Sequence, residues 1–481
     1  MRIQSAFFLA CFIVLANAGV LEAQTTPELR AGDVVLRGGW LFDATGDERR
    51  RNSAIVIRNG VLFALDAEVE AVAGAGVRVI DVTDDETILP GFFDLHAHYA
   101  VDLFGEGRID EYDVNPVVFL ANGVTSTFPA GEVDPEGMRA TREAIDAGRR
   151  IGPRMYNSGP YYGTARPGWN ARAMTADSIR REVDAWASRG ARGFKAKGIT
   201  PEALDALISQ AHRHGLTVTG HLDSGFRNSV NPRDAILMGI DRIEHFTGGD
   251  AIAGDRPAYS SLETLDASRP EVLAQFARFR EHGVFYDATI TAYGYFGDRD
   301  PEVYTRWFDE MSLLTPYARA AVEARLPRRV NDQFERIYHV KLKEIRAFYD
   351  AGREANITLG TDHPSWGEFF SGFGTHREMS AFVKAGLPPA AALRIATING
   401  ARALGISDRL GTLEAGKYAD LVIVRGDPLA DIRTTRNVRL VIKAGEVFDA
   451  GALLASVLGK LGPESAATVD RWKGNVRYAT N

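Results

Sequence analysis

Residues 89–98 read Leu-Pro-Gly-Phe-Phe-Asp-Leu-His-Ala-His, and the rest of the chain is interpreted from this stretch. Side chains two apart on a strand point to the same side, so a strand from Phe92 to His98 places His96 and His98 on one face. Two imidazoles on one face can share a divalent ion, or they can form a hydrogen-bonded pair inside the core. The pair alone leaves both alternatives open.

Seven further apolar stretches of the same kind follow and alternate with segments of helical spacing. With the first, the predicted strands span 92–98, 123–128, 154–158, 193–197, 217–221, 242–245, 284–289 and 358–362. This alternation is typical of parallel βα units, and eight of them close naturally into a (β/α)8 TIM barrel, an α/β fold. Pro201 to His214 is predicted as one of the helices, because its apolar spacing ends at Gly215.

Tyrosine, phenylalanine and arginine are frequent between Tyr293 and Tyr338, where the βα pattern is interrupted. We therefore predict an insertion at about residues 291–340, after the seventh strand. An insertion in a βα loop lies on the carboxyl-terminal face of a barrel, where it could cover a pocket.

Both ends of the chain carry short β-branched stretches broken by Gly and Asp. Four lie between Asp33 and Glu86, and two more at 419–424 and 439–442. They predict antiparallel strands that together form one small β-sandwich domain. The predicted boundaries are 24–88 and 408–450 for the two parts of the sandwich, 89–407 for the barrel and 451–481 for a carboxyl-terminal tail.

Residues 1–23 predict a secretory signal peptide, with cleavage after Ala18 or Ala23. The apolar run from Ala6 to Ala16 is shorter than the ~20 residues of a membrane-spanning helix, although a membrane anchor is the alternative. Cys11, the only cysteine, lies in this segment. We expect a secreted or periplasmic protein that has no disulfide and leaves the membrane once processed.

The composition is that of an ordinary globular protein. Of the 481 residues 45% are hydrophobic, which excludes a disordered chain and leaves ample material for a core. The net charge is −7 and like charges form no blocks, so a nucleic acid or an anionic membrane is not expected as a partner. A small-molecule substrate is the better expectation, and a homo-oligomer is left open.

Four of the ten histidines stand at the ends of predicted strands, where barrels build their active sites. They are His96, His98, His221 and His245. Asp362 ends the eighth strand and could bind a metal and accept a proton from water, or it could cap the next helix. Together with four strand-end histidines, metal binding is favoured.

Lys195 and Lys197 lie two apart on the fourth predicted strand and face the same way. An ammonium group is costly to bury without a partner, and it cannot bind a metal. Reaction of one amine with carbon dioxide would give a carbamate that can bridge two metals. The alternative is that the lysines reach solvent or pair with carboxylates.

Taken in order, these motifs resemble the amidohydrolase superfamily, which comprises metal-dependent hydrolases on a TIM barrel with an attached β-sandwich. The motifs are residues 89–98, Gly220-His221, Ile243-Glu244-His245, Gly360-Thr361-Asp362, 396–401 and 411–421. The branch that the chain resembles most is the imidazolonepropionase-like and Xaa-Pro dipeptidase-like (prolidase) group. The loop Gly159-Pro160-Tyr161-Tyr162-Gly163 departs from the Gly/His-rich loop of related dipeptidases, so their specificity is not carried over.

The resemblance implies a binuclear centre, with three residues for the more buried metal, two for the other and one carboxylated lysine as a bridge. In that order these are His96, His98 and Asp362, then His221 and His245, then Lys195, which matches better than Lys197. Zinc is the first choice, and manganese, cobalt or iron are alternatives.

We expect hydrolysis of an amide-type C–N bond other than a standard peptide bond, in a dipeptide, an N-acyl amino acid or a cyclic amide. Two metals would lower the pKa of a bridging water and polarise the carbonyl, and Asp362 would act as general acid and base. Alternatives are a mononuclear imidazolone hydrolase or deaminase, a lactone or ester hydrolase, and a non-catalytic binding protein on the same fold.

Overall fold

The computed structural model describes residues 27–68, 76–226, 229–252, 254–326, 328–363 and 367–474. The predicted signal peptide at 1–23 lies outside these residues. No helix within the described ranges is both long and apolar enough to cross a lipid bilayer.

Strands and helices alternate through most of the chain. The strands are Val34–Arg37 (β1), Trp40–Leu41 (β2), Arg50–Arg51 (β3), Ala54–Arg58 (β4), Val61–Ala64 (β5), Arg78–Asp81 (β6), Glu86–Pro90 (β7), Phe92–Ala97 (β8), Ala100–Val101 (β9), Ile109–Asp110 (β10), Val124–Pro129 (β11), Arg154–Met155 (β12), Tyr161–Tyr162 (β13), Gly193–Lys197 (β14), Thr217–His221 (β15), Arg242–Glu244 (β16), Phe285–Asp287 (β17), Ile357–Thr358 (β18), Leu421–Arg425 (β19), Val438–Lys443 (β20) and Glu446–Asp449 (β21).

The α-helices are Asn115–Ala121 (α1), Pro135–Asp146 (α2), Ala176–Ser188 (α3), Pro201–Arg213 (α4), Pro232–Met238 (α5), Ala258–Leu262 (α6), Pro270–Glu281 (α7), Ile290–Phe296 (α8), Pro316–Glu323 (α9), Asp332–Gly352 (α10), Ser371–Lys384 (α11), Pro389–Arg394 (α12), Gly400–Ala403 (α13) and Ala450–Val457 (α14). Short 3-10 helices span Glu310–Leu313, Arg353–Asn356, Ile432–Arg436 and Ala466–Trp472. A π-helical turn, Ile395–Asn399, joins α12 to α13.

The parallel strands lie in two sheets, in the orders β12-β11-β8 and β13-β14-β15-β16-β17-β18. Each pairing within them is parallel. The backbone N–H of Leu95 donates to the carbonyl of Leu359 at 2.9 Å, which links β8 to the segment after β18. Each of the eight predicted strands overlaps a strand of these two sheets, although the eighth, expected at 358–362, shares only Thr358 with β18. The mixed order of strands and helices is an α/β arrangement.

The third predicted strand differs from the expectation. It was expected to run from Arg154 to Ser158, but β12 ends at Met155, and two residues expected in the following loop form β13 against β14. Gly159 between them has a φ of +63°, and Pro160 has no N–H for a ladder hydrogen bond. These two residues divide the stretch into two short strands.

Helix α4 shows why the segments between the strands are helical. Pro201 occupies its first turn, where a missing N–H costs nothing. Leu204, Leu207 and Ile208 follow at helical spacing and are buried in the main apolar core. Gly215 follows the helix with a φ of +66°, as the predicted C-cap requires. The predicted helix is confirmed.

The two chain ends meet in one sheet, in the order β21-β20-β19-β7-β2-β3, and a further sheet has the order β5-β4-β1-β6. Strand β19 pairs antiparallel with β7, with Leu421 opposite Pro90. One apolar cluster, which includes Leu36, Ile88 and Ile423, takes members from both sheets. The expectation that the two ends come together is confirmed.

The expectation that all of these end strands are antiparallel is wrong. Strand β6 runs parallel to β1, with Val34 opposite Arg78, and β2 runs parallel to β7. A tight turn can join only antiparallel neighbours. Here β4 and β5 intervene between β1 and β6, so the longer connection allows the parallel pairing.

The predicted insertion is largely helical in its described residues. It contains most of α8, the 3-10 helix Glu310–Leu313, α9 and the start of α10. Its expected end at about residue 340 falls inside α10, which continues to Gly352 and leads into β18. The end of the insertion is therefore part of α10, the helix that precedes β18.

An ion pair connects the parallel strands to the chain-end sheet, and its loss should destabilise the protein. The Asp420 carboxylate accepts hydrogen bonds from Arg154 at 3.0 and 3.2 Å and from the backbone N–H of Ala444 at 2.7 Å. Only 2% of the Asp420 side chain is exposed, against 26% for Arg154. Breaking a largely buried pair costs a few kcal/mol. We expect Asp420→Ala to lower the free energy of unfolding in urea by about 2–3 kcal/mol.

The pair Arg37–Asp81 provides the matched control. Its atoms are 2.7 Å apart, but 68% of the Asp81 side chain is exposed, so Asp81→Ala should cost at most about 1 kcal/mol. Equal losses in the two variants would contradict the assigned role of Asp420.

Candidate metal centre

Two of the predicted site histidines lie where β8 ends, and Asp362 faces them from the segment after β18. Asp362 Oδ1 is 2.8 Å from His98 Nε2 and 3.3 Å from His96 Nε2. The ligand atoms of these three residues lie within 4.8 Å of one another. Since both histidines are buried, the three side chains form a compact site for one cation.

Hydrogen bonds between β8 and the segment after β18 position Asp362. Its backbone N–H donates to the carbonyl of His96 at 3.0 Å. The buried Asp94 carboxylate accepts from the N–H of His96 at 3.0 Å and from the hydroxyl of Thr361 at 2.8 Å. Burial raises the pKa of Asp94 to about 6. Asp362 itself has a φ of +43°, a left-handed conformation that Asp tolerates better than most residues.

The other two predicted histidines approach the same place from neighbouring strands. His221 is the last residue of β15, and His245 follows the end of β16. The centroids of these two rings are 4.5 Å apart, and the ring centroids of His96 and His245 are 5.0 Å apart. His245 Nε2 lies 3.7 Å from Asp362 Oδ2, while its Nδ1 lies 2.7 Å from the hydroxyl of Thr289. The structure thus brings all four histidines and Asp362 together.

The two lysines of β14 are in different environments. Lys195 is buried, and its Nζ contacts Glu244 Oε2. Lys197 is only partly buried and pairs in register with His221. Burial, followed by the charge of Lys197, holds the pKa of Lys195 well below its usual value. Burial lowers the pKa of Lys197 to about 8. A neutral amine is the form that reacts with carbon dioxide, and Lys195 is the more buried of the two.

Two carboxylates at the centre were given no role from the sequence. Glu244 Oε2 and Asp287 Oδ2 lie 3.5 and 3.6 Å from His96 Nδ1. Neither oxygen of Asp287 accepts a hydrogen bond from a described residue. The available signal was a carboxylate within each of the two strands Arg242–Glu244 and Phe285–Asp287. On a regular strand Glu244 would face away from His245, because neighbours on a strand point to opposite faces. His245 has a φ of +62°, however, which breaks the alternation.

The protonation states suit metal binding. Burial holds the pKa values of His96, His221 and His245 well below their usual range, so these rings are neutral at pH 7. Neutral imidazole is the form that binds metals. Burial alone would raise the pKa of Asp362, but His96 and His98 hold it well below its ordinary value. Neutral imidazoles around an ionised carboxylate fit zinc and similar divalent ions.

Aromatic side chains border the centre on the side of His221 and His245. The Tyr259 ring lies 6.3 Å from His221, and the Tyr293 ring lies 6.4 Å from His245. Phe334, from α10 in the insertion, stacks on Tyr259 at 5.5 Å. The insertion therefore supplies part of the apolar surface beside the centre.

A cavity of about 520 Å³ lies elsewhere in the insertion. Its lining includes Tyr295, Arg299, Arg328 and Glu368, and Arg299 donates to Glu368 at 2.6 Å. None of the predicted metal ligands lines this cavity. The cavity is therefore separate from the histidine cluster.

Comparison with known proteins gives the same family as the motifs. Residues 87–448 match the amidohydrolase family. The imidazolonepropionase of Phocaeicola vulgatus is 27% identical over 78% of this chain and 86% of its own length. The dihydropyrimidinase of Dictyostelium discoideum is 22% identical over 51% of this chain and 46% of its own length. For the second relative, the match spans about half of the relative's length.

Solved structures show the same fold. A Xaa-Pro dipeptidase with bound methionine has a TM-score of 0.65 at 23% identity, over 87% of this chain and 100% of its own. Molinate hydrolase has a TM-score of 0.66 at 20% identity, over 91% and 99%. These likenesses imply an α/β fold of the TIM-barrel type. The family and the hydrolases among the relatives support an enzyme that hydrolyses C–N bonds. The chain belongs to the amidohydrolase family.

Proposed function

We propose that this chain is a metal-dependent hydrolase that cleaves an amide-type C–N bond other than a standard peptide bond. The substrate class is a dipeptide, an N-acyl amino acid or a cyclic amide. The observation that carries the proposal is the convergence of five side chains from the ends of four strands: His96, His98, His221, His245 and Asp362.

The proposed architecture is a closed eight-stranded barrel beside a β-sandwich. The hydrogen bond between Leu95 and Leu359 supports closure, because it joins the first strand of the parallel series to the residue that directly follows the last. The apolar cluster common to the two chain-end sheets supports the sandwich. We keep the boundaries 24–88, 89–407 and 408–450 as part of this proposal.

Two divalent ions, zinc by preference, would be held at this point. His96, His98 and Asp362 would hold the more buried ion, and His221 and His245 the other. Lys195, as a carbamate, would bridge them; its amine nitrogen bonds to the carbon of carbon dioxide and releases one proton. When bound, such ions polarise a substrate carbonyl and lower the pKa of water.

Asp362 would move the proton in the reaction. Its carboxylate reaches His98 and His96 on one side and His245 on the other, so it lies between the proposed ligand groups. In its ionised form it can accept a proton from the attacking water and deliver it to the leaving nitrogen.

The aromatic side chains beside the centre favour an apolar group next to the scissile bond. Tyr259, Tyr293 and Phe334 form the surface next to His221 and His245. These aromatic rings would stabilise a bound substrate whose aliphatic or aromatic group packs against them. Among dipeptides and N-acyl amino acids, those with large apolar residues are therefore the first to test.

A second candidate function is that of a mononuclear enzyme which opens an imidazolone ring or removes an amino group. The contact between Lys195 and Glu244 favours it, since a lysine paired with a carboxylate need not become a carbamate. The likeness to an imidazolonepropionase is consistent with this alternative.

Removal of metal should abolish the activity. We expect protein treated with a chelator to lose hydrolysis of Xaa-Pro dipeptides or N-acyl amino acids, and to regain it with zinc and bicarbonate. Metal analysis of the restored protein should give two ions per chain. A crystal structure of the same protein should show a carbamate on Lys195. One ion and unmodified lysines would select the mononuclear candidate. Unchanged hydrolysis after chelation would contradict both.

Two further proposals concern the partner of the protein and its cellular location. We propose a small molecule as the partner, with a homo-oligomer left open, and a secreted or periplasmic location from the predicted signal peptide at 1–23. Export of a fusion that carries residues 1–23 to the periplasm, and retention without them, would test the location.

A further inference from the structure

A buried group of charged and polar side chains contacts the backbone carbonyl of His245, next to the metal centre. Lys341 and Glu344, both on α10, are fully buried, and their charged atoms are 2.7 Å apart. Such a pair is expensive to bury, and it stabilises a fold only when its geometry and further hydrogen bonds compensate for the lost hydration. The further hydrogen bonds of Lys341 and Glu344 show which segment of the chain this pair holds in place.

The contacts of the pair converge on the segment that carries His245. Lys341 Nζ donates to the carbonyl oxygen of His245 at 2.5 Å. The Tyr286 hydroxyl contacts Lys341 Nζ, and it lies 3.1 Å from the same carbonyl and 2.8 Å from Glu344. The hydroxyl of Thr247 donates to the other oxygen of Glu344 at 2.8 Å. Both flanks of the short segment from His245 to Thr247 are thus fixed to α10.

The backbone at His245 needs such support. Its φ of +62° lies in the left-handed region, which a residue with a Cβ seldom adopts. This conformation turns the His245 side chain toward His221 and His96 directly after Glu244, although adjacent strand residues would normally face opposite ways. The direction of the His245 carbonyl is set by the same torsion angles, so a donor fixed at that carbonyl selects the conformation.

We propose that Lys341 and Glu344 are positioning residues, which hold the His245 backbone in the left-handed conformation that aims its ring at the metal centre. The inference rests on the proposed metal-dependent function. It makes α10, the helix that begins in the insertion, a determinant of metal affinity as well as a source of apolar surface beside the centre.

The test separates positioning from stability with two variants. Lys341→Met removes the donor and leaves Glu344 buried without its cation. Lys341→Met/Glu344→Met replaces the whole pair by apolar side chains, which proteins often tolerate without loss of stability. Each variant is stripped of metal and titrated with cobalt(II) against a competing chelator, and its visible absorption spectrum is recorded. Residues that orient metal ligands typically change metal affinity by about 10–100-fold.

We expect the double variant to unfold at nearly the wild-type urea concentration, to bind cobalt at least about 10-fold more weakly and to show an altered spectrum. Arg377→Met is the matched control, because it removes an equally buried cation, paired with Glu310, that contacts no predicted ligand. This control should lose stability and keep the wild-type spectrum and affinity.

A double variant with wild-type cobalt affinity and spectrum would overturn the positioning role and leave the proposed function intact. A wild-type chain that binds no cobalt would overturn the proposed function and this inference with it. If the single variant fails to fold, the double variant still decides the question, since it buries no unpaired charge.

Discussion

Asp362→Asn is expected to retain its metal and to lower turnover by about 10²- to 10⁴-fold, the usual range for loss of a general acid or base. The amide keeps an oxygen that can face His98 and His96, which lie 2.8 and 3.3 Å from the carboxylate. It cannot accept the proton of the attacking water at neutral pH. Steady-state kinetics with the best apolar dipeptide or N-acyl amino acid, together with metal analysis, measure the two quantities separately.

Asp408→Asn is the control for this substitution, because 71% of the Asp408 side chain is exposed. It should leave both metal content and turnover unchanged. Wild-type turnover in Asp362→Asn would remove Asp362 from the reaction. Lost turnover with lost metal would assign it a ligand role alone.

Among the substitutions, Lys195→Ala is expected to have the second largest effect, a loss of about 10³-fold in turnover together with at least one of two metal ions. Without the bridging carbamate, two cations would face each other with less negative charge between them. Metal-ion catalysis contributes several kcal/mol, and each 1.36 kcal/mol corresponds to a factor of ten. Metal analysis and kinetics on protein grown with zinc and bicarbonate provide the measurement.

Lys197→Ala is the matched control, since it removes the same side chain two residues later on the same face of β14. It should keep two metal ions, because Lys197 is less buried than Lys195. If Lys197→Ala loses metal and Lys195→Ala keeps it, the bridge belongs to Lys197. If both keep two ions, neither lysine forms the bridge.

The sequence predicted the strands of the parallel series well because each is a short apolar run between segments of helical period. That pattern is local, and burial of the strands on both faces imposes it. The division at Gly159 and Pro160 and the parallel pairing of β6 with β1 were not predicted. Pairing partners depend on which distant strand fills an edge, and a local pattern does not contain that information.

The candidate site likewise has a part that the sequence predicted and a part that it did not. The strand-end rule predicted that His96, His221 and Asp362 come together, because parallel strands end at one face. The roles of Glu244 and Asp287 did not follow from it. His245 faces the same side as Glu244 only because it adopts a left-handed conformation, and Lys341, which donates to the His245 carbonyl, lies 96 residues away on α10.

The pairing of β19 with β7 has a consequence for how the chain folds during synthesis. Leu421 lies opposite Pro90, so more than 300 residues separate two neighbouring strands of one sheet. At the ~5–20 residues per second of translation, β7 has an open hydrogen-bonding edge for at least roughly 15 s before β19 emerges. Unpaired edges promote association with other chains. The nascent chain therefore depends on its last strands to close this edge, and a ribosome that stalls before residue 421 would release a sheet that is prone to aggregate.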